Sequence, residues 1–98
     1  MTRWVVIFDD KPEMLDVRRK FGTQHVDYLR ANSTKILIGG GLRNAPGEPF
    51  VGGLWVVEAD SRDEIAKLVE NDPYYHPELR SFKILAWGKA LEDRTTTL

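Results

Sequence analysis

An α+β fold with the element order β-α-β-β-α-β is predicted by three observations on the amino-acid sequence. Four short runs are rich in β-branched and aromatic residues, two stretches between them carry apolar residues at helical spacing, and turn-forming clusters separate them. Trp4–Phe8 is the first strand, closed by the turn Asp9-Asp10-Lys11-Pro12. Pro12 suits a first helical turn, and Met14, Leu15, Val17, Phe21, Val26, Tyr28 and Leu29 carry a helix to Ala31, with Gly22 as a candidate break. After Asn32-Ser33-Thr34, the run Lys35–Ile38 is a second strand that leads into Gly39-Gly40-Gly41. A loop from Leu42 to Gly53 follows, punctuated by Pro46, Gly47, Pro49 and Gly52. Leu54–Ala59 is the third strand. Ser61-Arg62-Asp63-Glu64 then has capping-box spacing, with Asp60 or Ser61 as the cap of a second helix whose stripe is Ile65, Leu68 and Val69. Pro73 ends that helix near Asn71-Asp72, because proline disfavours helical geometry in the residue before it. Ser81–Trp87 is the fourth strand, and residues 92–98 form a polar tail that should fray.

This order is the ferredoxin-like arrangement, in which both helices cover one face of a four-stranded antiparallel sheet. The 98 residues fit one domain. A monomer's uncovered sheet face should be polar, giving strict alternation along each strand. Here the strands are apolar on both faces: Val5 and Ile7 oppose Trp4, Val6 and Phe8, Leu54 and Val56 oppose Trp55 and Val57, and Leu85 and Trp87 oppose Phe82, Ile84 and Ala86. A second copy stacking sheet on sheet is therefore expected, a homodimer with a shared core.

Fourteen Lys and Arg against 15 Asp and Glu leave a formal charge of −1, without the basic stripe that phosphate-backbone binding needs. No apolar stretch approaches the roughly 20 residues of a membrane span, and no signal peptide is visible, so a cytoplasmic protein without membrane or nucleic-acid partners is expected. The absence of cysteine excludes disulfides, thiolate nucleophiles and thiolate-held zinc, and only His25 and His76 remain as imidazoles. Neither a metal nor an organic cofactor is expected.

Two polar residues fall at inward positions. His25 follows Phe21 by four and precedes Tyr28 and Leu29 by three and four, so it lies on the apolar side of the first helix. It is either a proton-transfer group or a core-edge histidine satisfied by a backbone carbonyl. Asp72 extends the Leu68-Val69 stripe to the end of the second helix, where the helix dipole disfavours a carboxylate unless a cation or donor compensates. His25 is the expected partner, and an ordinary Asp-Pro turn is the plainer alternative. Tyr74 and Tyr75 can wall a pocket or finish the core, Arg43 can hold an anionic substrate or simply be solvated, and Gly40 in the glycine run allows close backbone approach to a ligand or marks a bulge. His76 beside Pro77 looks exposed, and no pair of inward carboxylates supports hydrolysis.

Taken together, His25-Val26-Asp27-Tyr28-Leu29, Ile36-Leu37-Ile38-Gly39-Gly40, Pro46-Gly47-Glu48-Pro49-Phe50, Glu58-Ala59-Asp60-Ser61 and Asn71-Asp72-Pro73-Tyr74 resemble the YCII-related family over nearly the whole chain. The resemblance implies the dimeric α+β barrel, with two ferredoxin-like sheets face to face. It also implies a catalytic dyad of a first-helix histidine and an aspartate in the Asp-Pro-Tyr segment, matched by His25 and Asp72. One branch of that family is a dehydrochlorinase of chlorinated hydroxyquinols. The sequence departs from its relatives at Gly40-Gly41, where Gly-Pro is usual, and at Asn32–Lys35, which lacks the usual glycine. The expected function is cofactor-independent acid/base chemistry, of elimination or isomerisation type, on a small polar or aromatic molecule, with Tyr74, Arg43 and Gly40 shaping the binding site. A non-catalytic ligand-binding or protein-interaction module of the same fold is the alternative.

Overall fold

A computed structural model describes residues 2–98. The elements run β1 (Thr2–Asp10), α1 (Met14–Ala31), β2 (Ile36–Arg43), β3 (Phe50–Ala59), α2 (Arg62–Glu70) and β4 (Arg80–Ala86). They build one antiparallel sheet of order β2-β3-β1-β4, the ferredoxin-like arrangement. Among the described residues no helix is long and apolar enough to cross a membrane.

Register decides which residues meet the helices. Trp4, Val6 and Phe8 stand opposite Val57, Trp55 and Gly53 on one side and opposite Ala86, Ile84 and Phe82 on the other. These side chains close with Ile36, Ile65 and Val69 into the main core. The alternate residues point to the opposite sheet face, where Ile7, Ile38 and Leu85 are 37%, 52% and 49% exposed. The helix-facing side is thus a closed core, and the other side of this single chain carries apolar residues in water.

The two helices sit differently. α2 lies against β3 and β4, capped by Ser61, whose hydroxyl accepts from the Glu64 amide at 3.2 Å while the Glu64 carboxylate accepts from the Asp60 amide at 3.3 Å. The backbone of α1 stands farther from the sheet, and bulky side chains fill the gap: Met14, Val17, Phe21 and Tyr74 form a second cluster, while Tyr28 and Leu29 reach the main core.

The strand bounds and two single residues differ from the sequence reading, β3 beginning at Phe50 rather than Leu54. β1 runs two residues past Phe8, because Asp9 and Asp10 pair with Ser81 and Arg80 and so extend β4 as well. The glycine run does not end β2: Gly40, Gly41 and Leu42 pair with Leu54, Gly53 and Gly52, which shortens the loop to residues 44–49 around Gly47 at φ 84°. α1 is unbroken at Gly22, where a Cβ would meet the Tyr74 hydroxyl at 3.5 Å, so packing rather than breaking accounts for that position. His76 is half-buried rather than exposed, its ring 5.9 Å from that of Phe21.

Candidate functional site

Asp72 lies two residues beyond α2, its backbone amide bonded to the Val69 carbonyl at 3.2 Å. Its side chain is 2% exposed, with Oδ1 2.7 Å from His25 Nδ1 and 3.0 Å from the Tyr74 amide that donates to it. These two donors offset the unfavourable placement of a carboxylate at a helix C-terminus. The partner anticipated from helix spacing is therefore the one found, and the Asp-Pro turn serves to point the carboxylate at α1.

The His25 ring stacks on Tyr74 at 3.7 Å between centroids and 3° between planes. Asp72 and Tyr74 thus hold the imidazole from its Nδ1 edge and from one face. Nε2 has no protein partner among the described residues and is not among the buried orphan atoms, so it is the edge open to solvent. On the Asp72 side, the void among Phe8, Val69, Tyr74, Arg80 and Phe82 has no room for a water molecule. Nε2 is thus the ring nitrogen left free for a further contact. With Nδ1–H donated to Asp72, the neutral imidazole presents Nε2 as a base and Asp72 stabilises the cation that follows protonation.

A second polar cluster also borders Tyr74. Asp10, with a side chain 1% exposed, accepts from Arg80 Nε at 2.6 Å, from Arg80 Nη2 at 3.1 Å and from Arg18 Nη2 at 3.1 Å. Arg18 Nη2 also donates to the Gly52 carbonyl at 2.8 Å. The guanidinium carbons stack on aromatic faces: Arg80 over Phe8 at 4.5 Å and Tyr74 at 5.5 Å, Arg18 over Phe50 at 4.5 Å and Tyr74 at 5.4 Å. Sequence reading missed this cluster and its buried Asp10, because it placed both Asp10 and Arg80 outside strands. Opposite charges one step beyond Phe8 and Phe82, on the same alternation, were the available signal.

Burial pushes the Tyr74 phenol above its ordinary value, an effect opposed by the positive charge of Arg18 and Arg80 and reinforced by Asp72. Tyr28, whose hydroxyl donates to the Leu68 carbonyl at 2.6 Å, is likewise raised, first by burial and then by Asp72. Both phenols are neutral near pH 7.

The remaining predicted residues separate. Tyr74 joins the dyad as its stacking partner, and Tyr75 is 37% exposed beside it. Arg43 lies over the Phe50 ring at 4.6 Å, one aromatic ring away from Arg18. Gly40 shares the register of Leu54, away from the helices, and an added Cβ there would meet nothing within 4 Å. It is not brought to His25. A cavity of about 360 Å³ at one end of the open sheet face is lined by Ile7, Phe8, Leu42, Val51, Gly52 and Phe82, and a shallow groove along the outer side of α1 reaches Tyr74. His25 lines neither. Among the described residues no three His, Asp or Glu side chains converge into a metal-binding group.

Comparison with known proteins places this geometry in a wider set. The profile of the YCII-related domain matches residues 2–88. Among solved structures, the 5-chloro-2-hydroxyhydroquinone dehydrochlorinase of Burkholderia phenoliruptrix, in complex with 2,5-dihydroxybenzoquinone, is similar at a TM-score of 0.76 and 28% sequence identity, over 88% of this chain and 93% of that one. No curated protein matches significantly.

Proposed function

The chain belongs to the YCII-related domain family, and from that premise we propose that it is a small enzyme in which His25 moves a proton to or from a compact planar molecule at Nε2 while Asp72 orients and stabilises the imidazole. The observation that carries this reading is the 2.7 Å contact between His25 Nδ1 and a carboxylate 2% exposed, with Nε2 left free. A histidine kept only for packing has no need of a buried carboxylate on one nitrogen and an unpaired edge on the other. The structural likeness to a dehydrochlorinase solved with a hydroxyquinone supports phenolic or quinonoid substrates and elimination or isomerisation chemistry. In such a reaction His25 can act as base and then as acid, with Asp72 stabilising its cation.

Pairing of two copies through the open sheet face belongs to the same reading. Ile7, Ile38, Leu42 and Leu85 each leave more than a third of their surface in water there, and full burial of such a side chain is worth about 1.5–3 kcal/mol. A sedimentation mass that stays monomeric at all concentrations would refute the pairing.

Absence of His25 from the larger cavities favours a second reading, a module in which the dyad organises the core without turnover. A thermal-shift panel of phenols, hydroxyquinones and small acids, headed by 2,5-dihydroxybenzoquinone, identifies ligands for either case. The enzyme reading then requires solvent-hydrogen exchange or elimination on a bound compound, reduced about 10²–10⁴-fold in His25→Gln and in Asp72→Asn, with binding retained. Folded variants that keep full turnover would overturn it.

A further inference from the structure

Three glycines face the helices from β2 and β3. Gly39 stands opposite Trp55, and Gly41 opposite Gly53, on the side of the sheet where Trp55 and Val57 enter the core. Backbone is bare at these positions and neighbouring aromatic rings lie over it: a Cβ at Gly39 would stand 3.0 Å from Trp55 Cδ1, and one at Gly41 would overlap the Phe50 ring. Glycine by itself says only that something comes close to the backbone. A second observation at Gly39 is polar. Trp55 is 2% exposed, and among the described residues its Nε1 has no acceptor, whereas Trp4 Nε1 donates to the Ala59 carbonyl at 3.0 Å. Nor is Trp55 Nε1 one of the sealed unpaired nitrogens, which are Arg18 Nε and His76 Nδ1. The little surface that Trp55 keeps therefore includes its N–H. An indole N–H is a donor only, and a buried one ordinarily meets an acceptor.

The position of this donor ties it to the dyad. Trp55 Nε1 and Leu29 Cδ1 each lie 3.4 Å from the place a Gly39 Cβ would take, and Leu29 follows His25 by one helical turn on the same face of α1. The open N–H, the bare backbone of Gly39 and the His25 face of α1 thus meet between that helix and the edge strand β2. Ring contacts lead to the same residue: Phe8 stands edge-on to Trp55 at 5.1 Å, Arg80 lies over both Phe8 and Tyr74, and Tyr74 stacks on His25. We propose that Trp55 determines specificity in the His25 reaction, its Nε1–H donating to a hydroxyl or carbonyl oxygen of a planar ring that lies against the Gly39 backbone. The inference rests on the reading of His25 as the proton-transfer group, and it deepens that reading by naming an oxygen the substrate must carry. A ring reaching both groups turns the Leu29 side chain aside. Because the indole cannot accept, a substrate edge presenting only C–H or an ammonium leaves the N–H unpaired and is rejected.

The test uses ¹⁵N-labelled protein titrated with 2,5-dihydroxybenzoquinone. The chain has three tryptophans, so Trp4→Phe and Trp87→Phe assign the Trp55 indole resonance by elimination and leave Trp55 itself untouched. That resonance should move downfield as the oxygen binds, while the Trp4 resonance, already held by the Ala59 carbonyl, stays in place. Histidine ring protons report His25 separately. Calorimetric affinity for the same compound should fall about 3- to 10-fold in Trp55→Phe, the range for one lost neutral hydrogen bond. Gly39→Ala keeps the indole but sets a methyl beside its N–H, and should lower the affinity by a similar factor. A Trp55 resonance unmoved at saturation, unchanged affinity in both variants, or no binding of the compound by the wild type overturns the proposal. If the Trp55 resonance moves and the His25 protons do not, the donor site stands and the proton-transfer reading fails. The opposite pattern retains His25 and removes Trp55.

Discussion

Replacing Asp10 with alanine should destabilise the fold by about 3–5 kcal/mol, the range for leaving a buried charge without its partner. The size follows from who depends on that carboxylate. Arg80 is buried, its side chain 5% exposed, and its two side-chain hydrogen bonds both end on Asp10. Arg18 retains the Gly52 carbonyl and is the less affected of the two. Domains of this size have total stabilities of about 5–15 kcal/mol, so the loss is a large share, and it corresponds to a fall in Tm of roughly 12–40 °C. Urea unfolding at fixed protein concentration, followed by fluorescence of Trp4 and Trp55, measures it. Asp10→Ala combined with Arg80→Met supplies the decisive comparison: removing the orphaned guanidinium should recover at least ~1 kcal/mol relative to Asp10→Ala alone. A loss below ~1 kcal/mol for the single change, or a double variant weaker than the single, would show that the cluster is not a dry ion-paired unit.

Other expectations follow from the same geometry. Gly41→Ala should cost about 1–3 kcal/mol in urea unfolding, because its Cβ displaces the Phe50 ring, and an unchanged midpoint would mean that the ring moves freely. The Glu64 carboxyl is held below the usual 4.5 by hydrogen bonds from Lys35 and then from the Asp60 amide. A depressed folded value means that its contribution is present above the unfolded value and is lost as pH falls through the folded one, so Glu64→Gln should flatten the acid limb of a Tm-against-pH curve. For Tyr28 and Tyr74 the sign reverses: values raised above 10.0 contribute stability below pH 10 that is lost as pH rises through the folded values. Alkaline difference absorbance should therefore show two late-ionising phenols among the three tyrosines, and Tyr28→Phe should remove one of them.

Much of the site was legible because helical and strand periods carry direction. His25 at i+4 from Phe21 and Asp72 at i+3 from Val69 both had to face the sheet, and two helices on one sheet face bring such residues into reach. Arg18 shares the His25 face of α1 by the same spacing, yet an arginine seven residues upstream reads as solvated until a buried carboxylate is known to await it. That carboxylate, Asp10, was hidden by the chemistry of turns: Asp-Asp-Lys-Pro is a turn signal by composition, and only pairing with β4 makes it strand. Gly40 shows the converse error, since glycine beside a strand end says that a ligand can approach but not from which face.

Local patterning by itself determined the order of elements, the cap at Ser61, the stop before Pro73 and the inward faces of both helices, because periodicity and capping act over three to eight residues that are neighbours in the chain. Tertiary structure alone decided how far the strands extend, whether Gly22 breaks a helix, and that Asp10, Arg18 and Arg80 share one buried charge cluster beside the dyad. Those outcomes depend on contacts between residues as distant as Asp10 and Arg80, whose energies appear only when register places them opposite one another. The inward histidine was therefore a matter of spacing, and the buried charge cluster near it is a matter of packing.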